Sequence, residues 1–321
     1  MRSHNHIIWY FVLLLFYSCT PGSMNKEDAE RSLKVLNSDL VNFGNRMSES
    51  TEMKVWAFLL ENREAPIPFY KNSNSFISVK NFHFDEMKGI YKWNSLDKKF
   101  DLTGHSEQII ILPDSTGKHL LQFIVSDFNS AKVSSGEAFP TSVKIQMKED
   151  DHEIWKLDYL AELADGMPKK IELKMKGKEY TMNSNYLRTK SGENGTLSLT
   201  FSFNHLMKTL IDTRLDCTIG YSRQSYFLKT IDINQQLFDH EIKGEVDYAS
   251  IDPTAEDYTA SFNSHSKVFL FEKRKGRIGD VILEGTENNE LNDFFVRFKD
   301  KSTKQIGEFL PVFDKLMNLK Y

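Results

Sequence analysis

Through the middle of the chain, apolar and polar residues alternate in long runs. Val143, Ile145 and Met147 are interleaved with Lys144, Gln146 and Lys148. Ile171, Leu173 and Met175 are interleaved with Glu172, Lys174 and Lys176, and Leu197, Leu199, Phe201 and Phe203 alternate with Ser or Thr. A period of two with one greasy and one wet side predicts antiparallel strands buried on one face only. The punctuation agrees. Asp165-Gly166 separates the Trp155–Ala161 run from the 171–176 strand, and Lys176-Gly177-Lys178 leads on to Tyr180. Lys243-Gly244 and Lys275-Gly276 sit inside similar pairs, where glycine suits the positive φ of two-residue hairpin turns. Ile154–Leu163 would also suit a helix, but a turn and a clear strand follow it directly, so it is assigned as strand.

The two ends of the chain read differently. From Asn25 to Arg46, Leu33, Val35, Leu36, Leu40, Val41 and Phe43 fall at helical spacing, with Glu27 and Asp28 near the start. Ser48 or Ser50 can cap a second helix through Val55, Trp56, Phe58, Leu59 and Leu60. Ala65-Pro66-Ile67-Pro68 ends it, because proline cannot extend the hydrogen-bond ladder. Phe294, Val296 and Phe298 form a last strand. A closing helix is expected at about 304–318, carrying Ile306, Phe309, Leu310, Phe313, Leu316 and Met317. The expected class is mainly β with flanking helices (α+β). It is a strongly curved antiparallel meander or half-barrel, with N- and C-terminal helices against its concave face. One domain is expected over 25–321, made of a helical segment at 25–61, the sheet at 76–300 and the closing helix.

Residues 1–18 read as a signal peptide. Arg2 precedes the apolar run Ile7–Tyr17, which is shorter than the roughly 20 residues that span a bilayer. Ser18-Cys19 closes the run and Thr20-Pro21-Gly22-Ser23 opens a polar stretch, so 19–24 is expected to be a tether. A small residue followed by cysteine here resembles a lipoprotein processing box, in which Cys19 takes a lipid and becomes the first mature residue. Phe16 and Tyr17 are bulkier than the usual residues, a laxity similar to that of Bacteroidota lipoproteins. The expected location is the cell envelope, with the membrane as partner through the lipid on Cys19. Cys217, the only other cysteine, then has no mate for a disulfide. Its place in Leu215-Asp216-Cys217-Thr218-Ile219 suits a buried thiol.

Charge removes one class of partner. The net charge is −4, and losing 1–18 takes away only Arg2, leaving −5. That is no footprint for nucleic acid. Asp150-Asp151-His152-Glu153 places four potential ligands in a row, but consecutive side chains diverge and a solvated turn is expected. Asp247, Asp252, Glu256 and Asp257 lack the spacing of a calcium loop and read as a polar surface loop. Lys273-Arg274-Lys275-Gly276-Arg277 is the one dense basic cluster, and a hairpin turn accounts for it better than a phosphate or lipid head-group site. Trp56, Trp93 and Trp155 are expected in the core or at its rim rather than as a stacking platform. No nucleophile elbow, zinc-binding helix or phosphate loop is present.

Gly89-Ile90-Tyr91-Lys92-Trp93, then Phe100, then Gln108-Ile109-Ile110-Ile111-Leu112-Pro113, resembles a family of uncharacterised Bacteroidota lipoproteins, with Phe295-Val296-Arg297-Phe298-Lys299-Asp300 as the matching last strand. The resemblance covers most of the chain. It implies an N-terminal helical segment, a Gly-x-Tyr-x-Trp hairpin, a run of long hairpins and a closing helix, and it brings no known activity, cofactor or catalytic residue. The build is also similar to the half-barrels of periplasmic lipoprotein carriers and mycobacterial lipid-binding lipoproteins. The expected role is therefore a non-enzymatic envelope lipoprotein that binds a hydrophobic ligand or an envelope protein. The alternative is an extracytoplasmic hydrolase of glycan or lipid, whose carboxylates converge only in three dimensions.

Overall fold

The computed structural model describes residues 22–62, 64–71, 77–79, 82–113, 120–133, 136, 138–222, 225–285 and 292–309. Cys19, the signal segment and residues 310–318 of the expected closing helix lie outside the described residues. The expected class holds: the protein is mainly β with flanking helices, and its long hairpins form a meander. Among the described residues sixteen strands are hydrogen-bonded in one ladder, and a separate pair joins β1 (Phe69–Lys71) to β2 (Ile77–Val79). Among the described residues no helix is long and apolar enough to cross a membrane. The chain divides into two compact units, one of Asn42–Phe227 and one of Met1–Val41 with Leu228–Tyr321.

The Asn42–Phe227 unit holds the end of helix α1 (Lys26–Glu49), helix α2 (Thr51–Glu61) and the longest strands. Ser50 caps α2 by accepting from the Met53 amide at 3.3 Å. The hairpin β3 (Gly89–Asn94) and β4 (Lys99–Gly104) comes first, then β5 (Ile109–Leu112). There the pattern departs from a pure antiparallel meander, because β5 returns along the free side of β3 and pairs with it in parallel. From β5 onward each strand pairs antiparallel with the next: β6 (Leu121–Lys132), β7 (Ala138–Glu149), β8 (His152–Ala164), β9 (Met167–Gly177), β10 (Tyr180–Ser191), β11 (Asn194–His205) and β12 (Lys208–Ser222).

The expected turns fall between these strands. Asp150 and Asp151 both take positive φ, 49° and 66°, between β7 and β8, and Asp165 and Gly166 do the same between β8 and β9 at 55° and 69°. Ile154–Leu163 is strand, within β8. Val143, Ile145 and Met147 are buried, joined by Trp155 from β8 and by Phe123 and Val125 from β6. A bulge between Val125 and Asp127 resets the phase of β6, so Phe128 returns to the buried side. Helix α2 covers this patch with Val55 and Leu59, and Trp56 meets Phe69, Phe123 and Trp155 with ring centres 6.2, 5.3 and 5.7 Å apart.

The other unit contains the first part of α1, most of β13 (Ser225–Leu237), β14 (His240–Asp247), helix α3 (Tyr258–Ser264), β15 (Ser266–Glu272), β16 (Gly276–Gly285), β17 (Asn292–Arg297), β18 (Thr303–Gln305) and helix α4 (Ile306–Phe309). On α1 the buried positions here are Ala29, Ser32, Leu33 and Leu36, while Val35 and Val41 point to solvent. The closing helix starts later than expected. Lys304 and Gln305 pair with Val296 and Phe295 as strand, since the β17 edge offers unpaired backbone groups that β18 satisfies. Val246, Ile251, Phe262, Val268 and Leu283 form a second core under α3.

Lys243-Gly244 is not a turn. Gly244 sits inside β14 opposite Val268, and the hairpin turn lies at Phe238-Asp239. The glycine is there for closeness: a Cβ would stand 2.0 Å from the Lys267 carbonyl oxygen and 2.6 Å from the Val268 Cα. Both of those are backbone atoms, so relief requires the ladder to move. Gly244→Ala is therefore expected to lower stability by about 1–3 kcal/mol or more, read as a lower urea midpoint. Gly44, inside α1 with nothing within 4 Å of an added Cβ, gives the opposite sign. Gly44→Ala is expected to raise stability by about 0.5–1 kcal/mol in the same measurement.

Candidate functional site

Register across β8 to β12 assigns every side chain of this part of the sheet to a face. On one face Glu172, Asn185, Thr200 and Arg214 stand in line, next to the row of Lys170, Leu187, Ser198 and Asp216. This side is wet. Lys170 meets Glu172 at 2.6 Å, Arg214 meets Asp216 at 2.5 Å, and Ser198 donates to Asp216 at 2.7 Å. Exposed pairs of this kind add little stability and serve solubility.

The opposite face is apolar over five strands. One row is Leu157, Met175, Met182, Phe203 and Ile211. The next is Tyr159, Leu173, Ser184, Phe201 and Thr213, followed by Ala161, Ile171, Tyr186, Leu199 and Leu215. Met175 and Phe203 are buried beside the Trp155 core. Beyond them Tyr159, Leu173, Phe201, Ile171, Tyr186, Leu199 and Leu215 are only half-buried. Burial pushes the Tyr159 phenol up to about 12, so it stays neutral. The result is an apolar patch with two phenols and no charged side chain in its rows.

Burial closes again at the far end of this face, around a charge. Arg188 is 3% exposed and shares its row with Leu197 and Cys217. It donates from Nε to the Pro168 carbonyl at 2.9 Å, from Nη2 to the Ala164 carbonyl at 2.9 Å and from Nη1 to the Tyr221 hydroxyl at 3.0 Å. Tyr221 in turn donates to the Thr189 carbonyl at 3.2 Å. The guanidinium thus ties the β8–β9 turn to β10. Among the described residues no carboxylate stands within 4.0 Å of it; the nearby Asp165 pairs with Lys190 at 3.7 Å instead.

A second polar cluster lies in the other unit. His240 opens β14 opposite Glu272 at the end of β15, and Ser32 reaches them from α1. The Ser32 hydroxyl donates to Glu272 Oε2 at 2.5 Å and stands 2.8 Å from His240 Nε2. With its one proton committed to the carboxylate, Ser32 accepts from Nε2–H, which fixes the neutral imidazole tautomer. Nδ1 is buried with no hydrogen-bond partner among the described residues. Serine, histidine and a carboxylate meet here, but not as a nucleophilic triad. The carboxylate binds the hydroxyl rather than Nδ1–H, and Ser32 and His240 are each only 2% exposed. The cluster docks α1.

The residues singled out by sequence scatter into structural roles. Asp150 accepts from the Leu120 amide at 2.8 Å, and His152 Nδ1 stands 2.8 Å from the Asp150 carbonyl, which makes this run a hairpin turn. Asp247 accepts from Ser250, Asp252 from Thr254, and Asp257 caps α3 through the Ala260 amide, so these acids close separate local turns. No cluster of potential metal ligands exists among the described residues. In the basic run, Lys275 pairs with Glu272 at 2.9 Å, and Arg277 lies 4.1 Å from the Phe269 ring centre and pairs with Asp280. Trp155 is in the core, Trp56 lies over it, and Trp93 packs on Phe58 and Phe100 at 5.0 Å each. Cys217 is buried. Cys19 lies outside the described residues.

Compared with protein-family models, curated proteins and solved structures, the chain matches none.

The titration of His240 has a definite sign. Burial holds its pKa below the ordinary 6.5, against the pull of Glu272, Ser32, Asp239 and Asp39, because a second N–H would have no acceptor. The unfolded chain therefore takes up the proton first as pH falls. Stability is full above about 6.5 and drops as pH descends from there to the depressed folded value, below which this loss levels off. Glu272 adds a loss at lower pH. Burial pushes its pKa up, but the Ser32 hydroxyl and Lys275 outweigh that and hold it below 4.5. Chemical denaturation at a series of pH values should show the first loss, and His240→Gln should flatten it.

Proposed function

We propose that this chain is an exported lipoprotein of the cell envelope, held to a membrane by a lipid on Cys19, that binds a hydrophobic ligand without transforming it. The observation that carries the reading is the half-buried apolar patch of Tyr159, Leu173, Phe201, Ile171, Tyr186, Leu199 and Leu215 on the inner face of β8–β12. Ligand sites are mostly apolar with a few fixed polar groups, and this face has that composition, with Ser184, Thr213 and two phenols among its aliphatic and aromatic side chains. Burial of apolar surface supplies roughly 25 cal/mol per Å², so an aliphatic ligand covering such a patch gains affinity without any catalytic group. The signal core ending at Ser18-Cys19 supports the address and the anchor.

Two measurements test the two halves of the proposal. Fractionation of cells expressing the full chain should find it in the membrane, and Cys19→Ala should move most of it to the soluble fraction. An unchanged membrane fraction for the variant would overturn the lipid anchor. Native mass spectrometry of the Cys19→Ala chain should show an added mass that disappears on organic extraction, and Leu199→Lys should remove it while leaving circular dichroism unchanged. A clean mass equal to the polypeptide alone would overturn tight carriage of a hydrophobic ligand.

A further inference from the structure

The apolar patch has a charged end, and that end is unfinished. Arg188 has five N–H groups, of which three are used, on two carbonyls and one phenol. Two remain, one on each terminal nitrogen. Guanidinium cannot shed its proton, and a buried cation is costly unless an anion or a full set of hydrogen bonds compensates it. Among the described residues the partners of Arg188, two carbonyls and the hydroxyl and ring of Tyr221, carry no formal charge. Lys190, 5.0 Å above the Tyr221 ring, is paired with Asp165, so the uncompensated charge at this end is that of Arg188.

Position gives this charge its meaning. Tyr180, Met182, Ser184, Tyr186 and Arg188 alternate along β10 and share the inner face. Met182 to Tyr186 spans about 14 Å at 3.4 Å per residue. That is close to half of a hydrocarbon core of about 30 Å, the depth filled by the chains of one leaflet. Arg188 stands one inward-facing position further on. An apolar floor of acyl length that ends at a buried guanidinium matches an amphiphile in both parts.

We infer that the patch takes a single-chain amphiphile with an anionic head, a carboxylate or a phosphate. The chain lies across Tyr186, Leu199 and Phe201, and the head is bound at Arg188. Tyr221, itself half-buried, caps the guanidinium and moves aside to admit the head, whose oxygens take the two unused N–H groups. This inference rests on the proposal that the patch binds a hydrophobic ligand, and it adds the head-group chemistry.

The test uses the full chain carrying Cys19→Ala, stripped of bound lipid on a hydrophobic resin. Isothermal titration, below each probe's micelle concentration, compares dodecanoate, dodecyl phosphate, dodecanol and dodecyltrimethylammonium. The expected result is that one or both anionic probes bind at least tenfold more tightly than the alcohol and the cation, and which of the two leads tells carboxylate from phosphate. Arg188→Gln should bring the four within about threefold of one another while the chain still binds. Because Arg188 also ties down a turn, Tyr221→Phe serves as a second variant; it uncouples the cap from Thr189 and should alter anion affinity more than alcohol affinity. Equal binding of all four probes to the unsubstituted Arg188 protein would overturn head recognition and leave hydrophobic carriage standing. Binding of none would overturn both.

Discussion

Everything in the Asn42–Phe227 unit depends on hiding one face of a sheet whose other face is wet. Lys and Glu on alternate positions keep the outer side in water, so the inner side must be covered by something other than solvent. Helix α2 does this over β6–β8, with Leu59 fully buried and Trp56 packed against both Phe123 and Trp155. Aromatic rings suit the task because a short helix has few side chains, and each ring removes a large area from water. The cap at Ser50 and the prolines after Glu61 fix where that short helix begins and stops. Away from Trp155 the burial along β8–β12 falls from nearly complete to partial, and the apolar patch is the part of the inner face where it has fallen.

Much of this was legible because a strand writes its faces with a period of two. The 143–147, 171–175 and 197–203 runs all lie in strands, and the Asp165-Gly166 turn has the positive φ that such a turn requires. Features that break the period were hidden. The bulge after Val125 cannot be told from a loss of pattern, and Gly244 imitates a turn although its missing side chain serves a close backbone approach. The parallel return of β5 along β3 depends on which edge is free, a property of the assembled sheet.

The polar clusters were less legible, for two different reasons. Ser32 lies 208 residues from His240 and 240 from Glu272, and nothing local marks any of the three. Arg188 did carry a signal. Continuing the alternation of Tyr180, Met182, Ser184 and Tyr186 puts it on the greasy side, where a charge demands an explanation. A count of charges by strand phase, instead of by clusters along the chain, would have separated it from the solvated lysines around it.

His240 and Arg188 show two ways of keeping a polar group out of water, with different consequences. Imidazole can be neutral, and in the contact with Ser32 and Glu272 it avoids the cost of burial by giving up its proton. That choice makes the docking of α1 sensitive to acid. Guanidinium has no neutral form to retreat to, so the protein surrounds it with the Pro168 and Ala164 carbonyls and the Tyr221 hydroxyl. Dipoles stabilise a cation less than an anion does, and they leave its net charge in place. The guanidinium charge therefore stays at the end of the apolar face. A neutral hydrocarbon gains nothing from it, whereas an anionic head on the same chain gains both the charge and the two unspent donors. Selectivity for the head thus follows from the one buried group among the described residues that cannot neutralise itself.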